Sequence, residues 1–308
     1  MPNAPHSAAP ASAAVVAEVI HWYGEHARDL PWREPDASAW AVLVSEVMAQ
    51  QTPLARVLPV WTRWMERWPT PAHLAAATQA DAVRAWERLG YPRRAKALWE
   101  CARYLVDHHG GEVPSTRDEL LALPGVGDYT ASAVLSFAFR QRAVVLDTNV
   151  RRVLTRVFRG EPLPPVTIRR AERDLAESVA PAEPQEAAVW AVASMELGAL
   201  VCTARAPRCE ECPLAERCAW LLGGRHGLAD APVRTQAWHG TDRQVRGRIM
   251  AILRAADAPV AVAGRAELAD VEPGQLDRCL ASLTADALVA EADAVDEVDA
   301  GRGLYVLA

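Results

Sequence analysis

From residue 14 to residue 221 the apolar positions recur at three- and four-residue steps, the repeat of helices that each bury one face. The spacing predicts helices over Ala14–His26, Ala39–Val47, Pro53–Trp68, Gln79–Leu89, Arg93–Asp107, Arg117–Leu121, Thr130–Phe139, Val150–Phe158, Ile168–Ala180 and Pro184–Gly198. No strand-like alternation competes with them. Residues 223–240, rich in Gly, Pro and Ala, read as a linker. Beyond it the pattern changes: helical spacing over Asp242–Ala256, Ala266–Asp270 and Pro273–Asp286 gives way to two short alternating segments, Leu288–Ala292 and Gly303–Leu307.

One junction between predicted helices carries unusual chemistry. Gly125 and Gly127 flank Val126 in a turn, where glycine permits positive φ and close backbone approach. Amides at the start of the following helix favour an anion such as a nucleic-acid phosphate, although a plain tight turn between helices has the same spelling. After that helix come the apolar run Ala143–Leu146, then Asp147, then a segment carrying Arg151, Arg152, Arg156 and Arg159. Asp147 is thus either a helix cap or a carboxylate set between an apolar wall and a cationic helix.

Cys202, Cys209, Cys212 and Cys218 fall within seventeen residues. Such a set can converge on an iron–sulfur cluster or on zinc. A disulfide pair is the alternative, disfavoured because nothing marks the chain as secreted and cytosolic thiols stay reduced; Cys101 and Cys279 lie in helical patterns as core residues.

Composition bounds what surrounds these features. At 308 residues, 51% hydrophobic, with no apolar run near twenty, the chain reads as a cytoplasmic protein of two or three domains without a membrane span. Residues 1–13 are rich in Ala, Pro and Ser and lack the basic and apolar regions of a signal peptide, so they read as a disordered tail. The net charge of −6 is uneven: from Ala255 onward eleven acids face three arginines, leaving the first 254 residues slightly positive. Arg93, Arg94 and Lys96, and the Arg151–Arg159 segment, read as two surfaces for a polyanion.

The run LPGVGDYT followed by LDTNVRR resembles the helix-hairpin-helix superfamily of DNA glycosylases, and the C-x6-C-x2-C-x5-C spacing resembles the [4Fe–4S] loop of endonuclease III and of MutY-type adenine glycosylases. Leu30-Pro31-Trp32-Arg33 and Ser45-Glu46-Val47-Met48-Ala49-Gln50-Gln51-Thr52 resemble MutY-type motifs, and the likeness runs from about Val15 to Gly224. It implies an all-α, two-lobed fold: a six-helix barrel with the hairpin over 38–145, and an iron–sulfur lobe joining 14–37 to 146–222, with DNA between them. Residues 241–308 resemble a small α+β winged-helix module, too short for the Nudix-like domain of many MutY proteins and a candidate protein-contact surface.

The same likeness assigns roles. Glu46, in an otherwise apolar stretch that should raise its pKa, would protonate adenine N7, and Asp147 would stabilise the oxocarbenium-like sugar or attack it. Tyr129 stands where endonuclease III carries its nucleophilic lysine, and the only lysine in the chain is Lys96, so no Schiff base is expected. Gln50, Gln51 and Tyr91 would wedge into the duplex; Trp32, Arg33 and Glu196 would shape the adenine pocket. Leu30, Thr52, Gly125, Val126, Gly127 and Asn149 complete the expected DNA contacts, and Cys202, Cys209, Cys212 and Cys218 would hold a [4Fe–4S] cluster. Thr148, Ala49 and Pro92 depart from the family pattern. The expectation is a monomeric adenine glycosylase acting on double-stranded DNA with A·8-oxoguanine or A·G mispairs; a T·G thymine glycosylase, an endonuclease III-like enzyme and a non-catalytic DNA-binding scaffold remain alternatives.

Overall fold

A computed structural model describes residues 12–228, 238–293 and 303–308. The tail expected over 1–13 lies outside them up to residue 11, whereas Ser12 already opens the first helix; the middle of the expected linker, 229–237, also lies outside. Fourteen helices are described: α1 Ser12–His26, α2 Ala39–Ala49, α3 Leu54–Arg67, α4 Pro71–Ala75, α5 Gln79–Ala85, α6 Arg93–His109, α7 Arg117–Ala122, α8 Asp128–Phe137, α9 Thr148–Leu154, α10 Arg170–Val179, α11 Pro184–Leu200, α12 Ala219–Leu222, α13 Asp242–Arg254 and α14 Pro273–Ala285. No described helix is long and apolar enough to cross a membrane. The periodic helices appear within a few residues of their expected bounds. The exceptions are short: α4 and α12 were hidden by their length, and Thr155–Arg159 continues α9 as a π-helical turn.

Contacts divide the chain into two compact units. One comprises Met1–Val42, Ser115–Leu121 and Val126–Val233. Its core is built on α11, whose residues from Ala187 to Gly198 are almost all buried, packed with Val15, Val16 and Val19 of α1 and Val150, Val153 and Leu154 of α9. A helix apolar on every side has to be central. The chain after α1 is fixed to this helix by charge. Glu196, 1% exposed, accepts Arg28 Nε and Nη2 at 2.7 Å each, the Arg28 backbone N–H at 3.1 Å and Arg33 Nη2 at 2.8 Å. These bonds hold its carboxyl down at about 2 against the upward push of burial.

The other unit comprises Leu43–Pro114, Ala122–Gly125 and Arg234–Ala308. Val57, Val60, Trp61 and Trp64 form the buried face of α3, and Trp64 meets Trp68 and Trp86 edge-on with ring centres 4.9 and 5.5 Å apart. Its C-terminal part is the expected α+β arrangement, α13, β1 (Val260–Ala261), α14, β2 (Val289–Ala292) and β3 (Leu304–Leu307), in an antiparallel sheet of order β1-β3-β2. The two-residue β1 left no alternation to read. This part is tied to α5 and α6: Gln79 Nε2 donates to the carbonyls of Ala287 and Ala308 at 2.6 and 3.0 Å, and Asp286 is gripped by Arg93 of α6 and Arg246 of α13.

The turn between α7 and α8 treats its glycines differently. Gly125 is left-handed at φ +77, and an added Cβ would lie 2.7 Å from Ala97 Cβ. Gly127, the residue before α8, is extended at φ −105 with open space around it, so only one of the two needs glycine for its backbone. Gly125→Ala should therefore cost about 2 kcal/mol in urea unfolding, while Gly127→Ala stays within about 0.5. Equal losses would refute this division.

Acid should reveal the Glu196 linkage. With a folded pKa of about 2 against an ordinary 4.5, its pairing stabilises the fold fully above the unfolded value and is lost as pH falls through the folded one. The stability gap between wild type and Glu196→Gln, roughly 3 kcal/mol, should be flat above about pH 5 and shrink below it. A gap that does not change between pH 6 and pH 3 would remove the ion pairs from the account of stability.

Candidate active site and cluster loop

Glu46 sits on α2 at 8% exposure, among Val42, Leu43, Val44, Val47 and Met48, all buried. Past its end the chain turns through Gln50, Gln51 and Thr52, and one side chain fixes that turn. Arg94 Nη1 donates to the carbonyls of Val47, Met48 and Gln50 at 3.0, 3.2 and 2.5 Å; its Nη2 donates to Thr52 Oγ1 at 3.2 Å and to the Gly90 carbonyl at 3.1 Å. A helix C-terminus leaves carbonyls without amide partners, and a guanidinium supplies the donors. Burial pulls Arg94 down to about 10. Gln51 and Tyr91, one in each segment Arg94 joins, are both left-handed at φ 54 and 49, and both are exposed. Non-glycine residues held there store strain of order 1 kcal/mol, a feature concentrated at functional sites. Thr52 points inward, its hydroxyl donating to the carbonyls of Gln50 and Leu89; it braces the turn.

Asp147 is both things the sequence left open. It caps α9, its Oδ1 accepting the backbone N–H of Asn149 at 2.8 Å and of Val150 at 2.7 Å, while Oδ2 takes Asn149 Nδ2 at 2.6 Å. Burial nonetheless raises its pKa, against these bonds and the attraction of Arg152. Tyr129, in the first turn of α8, packs on a cluster that includes Val145, two residues before Asp147. Asn149 is located by Arg152 and by Gly198: a Cβ at Gly198 would stand 2.7 Å from Asn149 Cβ and 2.8 Å from its carbonyl oxygen. In the sequence, a glycine inside an apolar helix is the one signal that marks Gly198.

The remaining expected contact residues are mostly buried. Leu30 and Trp32 are 6% and 8% exposed, and Arg33 pairs with Glu196, two residues that both figured as pocket-shaping groups. Val126 is buried in the hairpin turn.

Most of the cations in the two expected basic surfaces are engaged within the fold, although Arg93 itself is exposed. Arg93 pairs with Asp286, Arg94 is the clamp just described, and Lys96 pairs with Glu100. Arg151 is paired with Glu172 and buried, Arg152 and Arg156 are buried, and Arg159 donates to the Ala171 carbonyl. Arg151, Arg152 and Arg156 lie off the apolar face formed by Val150, Val153, Leu154 and Val157 and are covered by neighbouring segments, so each guanidinium must be satisfied internally.

Arg156 leads to the cysteines. Its Nη1 lies 3.3 Å from Cys202 Sγ, its other donors reach the carbonyls of Pro162, Thr203 and Ala204, and it stacks 4.4 Å from the Trp220 ring. Cys202, Cys209, Cys212 and Cys218, all free thiols, line one small pocket together with Val157, Leu214 and Trp220. Among the described residues no three potential ligands converge closely enough for a single metal ion. Four thiols lining one apolar space, with a buried cation beside them, suit a cluster carrying net negative charge. When bound, such a cluster supplies iron–thiolate bonds that cross-link residues 202–218.

Comparison with known proteins agrees with this geometry. Residues 44–181 match the model of the HhH-GPD superfamily of base excision DNA repair proteins, and residues 202–218 match the iron–sulfur binding domain of endonuclease III. The adenine DNA glycosylase of Mycobacterium tuberculosis is 52% identical over 276 residues, covering 88% of each chain. Among solved structures, a thermostable thymine-DNA glycosylase superposes with a TM-score of 0.62 at 26% identity, over 69% of this chain and 97% of that one. A non-covalent endonuclease III–DNA complex gives 0.59 at 26% identity, over 70% and 97%. The cofactor of the cysteine loop is a [4Fe–4S] cluster. The chain belongs to the adenine DNA glycosylases of the helix-hairpin-helix superfamily.

Proposed function

We propose that this protein is a monofunctional glycosylase that hydrolyses adenine from DNA where it stands opposite 8-oxoguanine or guanine. The observation that carries the reading is a pair of carboxyl groups in unlike surroundings: Glu46 buried in an apolar helix, Asp147 held by three N–H donors. Unlike surroundings separate an acid from a charge stabiliser, as in glycoside hydrolysis generally. Glu46 donates a proton to N7, making adenine a leaving group, and Asp147 stabilises the positive charge that grows on the sugar. Protonation at N7 is purine chemistry, so Glu46 favours adenine over the thymine released by the enzyme named in the similar solved structure. Tyr129 offers no amine, and the base leaves by hydrolysis. Gln50, Gln51 and Tyr91 enter the duplex from the two segments that Arg94 holds, Gly127 admits a phosphate at the head of α8, and the four cysteines hold the cluster.

Single-turnover assays should release adenine from A·8-oxoguanine and A·G duplexes; thymine release from T·G with none from A·G would overturn the assignment. Asp147→Asn and Glu46→Gln should each slow release by a factor of about 10² to 10⁴ while leaving duplex affinity within a few-fold. The raised pKa of Asp147 adds a pH signature: the rate should fall on the acid side with a midpoint above the ordinary carboxylate value. Asn149→Ala, which removes a bond to the ionised form, should move that midpoint higher. A midpoint that moves lower would contradict the role given to Asp147.

Purification without oxygen should yield a brown protein containing iron and inorganic sulfide in equal amounts. Cys202→Ser should lower the melting temperature and duplex affinity together. A preparation with zinc and no iron would refute the cluster.

A further inference from the structure

Residues 255 onward are acidic, which argues against a DNA contact for the C-terminal part. The segment before them differs. Between Trp238 and Arg254 there are four arginines and one acid. Arg246 is paired with Asp286, Arg248 with Asp270, and Arg254 has its pKa pulled down by burial. Arg243, exposed in the first turn of α13, does something else: its guanidinium lies 4.9 Å from the Tyr91 ring centre and 5.5 Å from that of Trp238. Arg94 lies 5.2 Å from the same Tyr91 ring. Arg94, Tyr91, Arg243 and Trp238 therefore form a continuous run of alternating cations and aromatic rings within one compact unit.

The rings in this run are open to solvent. Tyr91 is 41% and Trp238 48% exposed, whereas Trp32, expected to shape the adenine pocket, is buried. An exposed tryptophan next to a guanidinium costs solvation and gains little as a fold contact. The same pair is what proteins use to hold unstacked nucleobases beside a phosphate backbone, since every base has a π-face and every nucleotide a charge.

We propose that Arg243 and Trp238 continue the Tyr91 wedge as a stacking platform for the unpaired DNA strand, so that the C-terminal part supplies DNA contacts of its own. This rests on the reading of Tyr91 as a wedge residue. Asp286 held between Arg93 and Arg246, and Gln79 bonded to Ala287 and Ala308, fix α13 to the Tyr91 loop's own unit. The platform is thereby preorganised.

The test measures affinity for a short duplex whose A·G mispair carries 2′-fluoro-2′-deoxyadenosine, which resists cleavage. Trp238→Ala and Arg243→Ala should each weaken binding fivefold to a hundredfold with an unchanged melting temperature, and Trp238→Phe should recover most of the loss. Arg248→Ala, which removes the same charge from the same helix away from the rings, should bind as wild type. Wild-type affinity in Trp238→Ala and Arg243→Ala, or an equal loss in Arg248→Ala, would overturn the proposal. Adenine release is scored separately on a cleavable duplex: wild-type protein that binds but releases none refutes the enzymatic reading and leaves the platform standing.

Discussion

Arg152 is the tie on which the candidate catalytic region depends. Its Nε donates to the Cys202 carbonyl at 2.6 Å, and its Nη2 to the Gly198 carbonyl at 2.6 Å and Asn149 Oδ1 at 2.8 Å. One buried cation thereby closes the end of α11, orients the residue that donates to Asp147, and fixes the backbone of the first cluster cysteine. A desolvated guanidinium must place its donors or pay several kcal/mol, so these three elements have one arrangement. The cluster loop and Asp147 are therefore mechanically linked through a few bonds, with Gly198 permitting the close approach. Truncating Arg152 would release all three together, which makes it a poor probe of any one of them.

Arg94 plays the corresponding part in the other unit, joining the end of α2 to the Gly90–Tyr91 turn. Here the constraint is used to hold strain. Gln51 and Tyr91 would relax from left-handed conformations if their segments were free. Because Arg94 bonds the carbonyls around both, the segments can present exposed side chains without the entropy of a flexible loop. In the proposed wedge role, binding a distorted duplex then costs less ordering at the protein.

Much of the fold was legible because helical periodicity is a local property. Cluster spacing and the LDTN run are also local, and both marked regions that the structure brings into order. What could not be read was where each guanidinium ends. Arg151, Arg152 and Arg156 look like a basic stripe in one dimension; only the position of Glu172 and of the carbonyls near Cys202 turns them inward. Val150, Val153, Leu154 and Val157, at i, i+3, i+4 and i+7, mark only one buried face; that the faces carrying the arginines are covered as well depends on the segments packed over them, which spacing does not encode. Trp32 and Trp238 show the same limit: exposure depends on what packs above a ring, and spacing does not encode that.

Side-chain chemistry separates structural from reacting groups in this chain. Arginine is always charged and cannot serve as a nucleophilic amine, so a protein with one lysine among thirty-three basic residues can use guanidinium freely as internal scaffolding without creating competing reactive sites. That lysine, Lys96, is held by Glu100. In the proposed reaction, proton transfer and charge stabilisation fall to carboxylates, whose properties are set by burial and by backbone donors. Glu46 is insulated by α2, and Asp147 is anchored by the start of α9. Because the cap bonds of Asp147 favour its ionised form while burial opposes it, small shifts of α9 retune the group, and the bonds from Arg152 to Asn149 and Gly198 set how far α9 can shift.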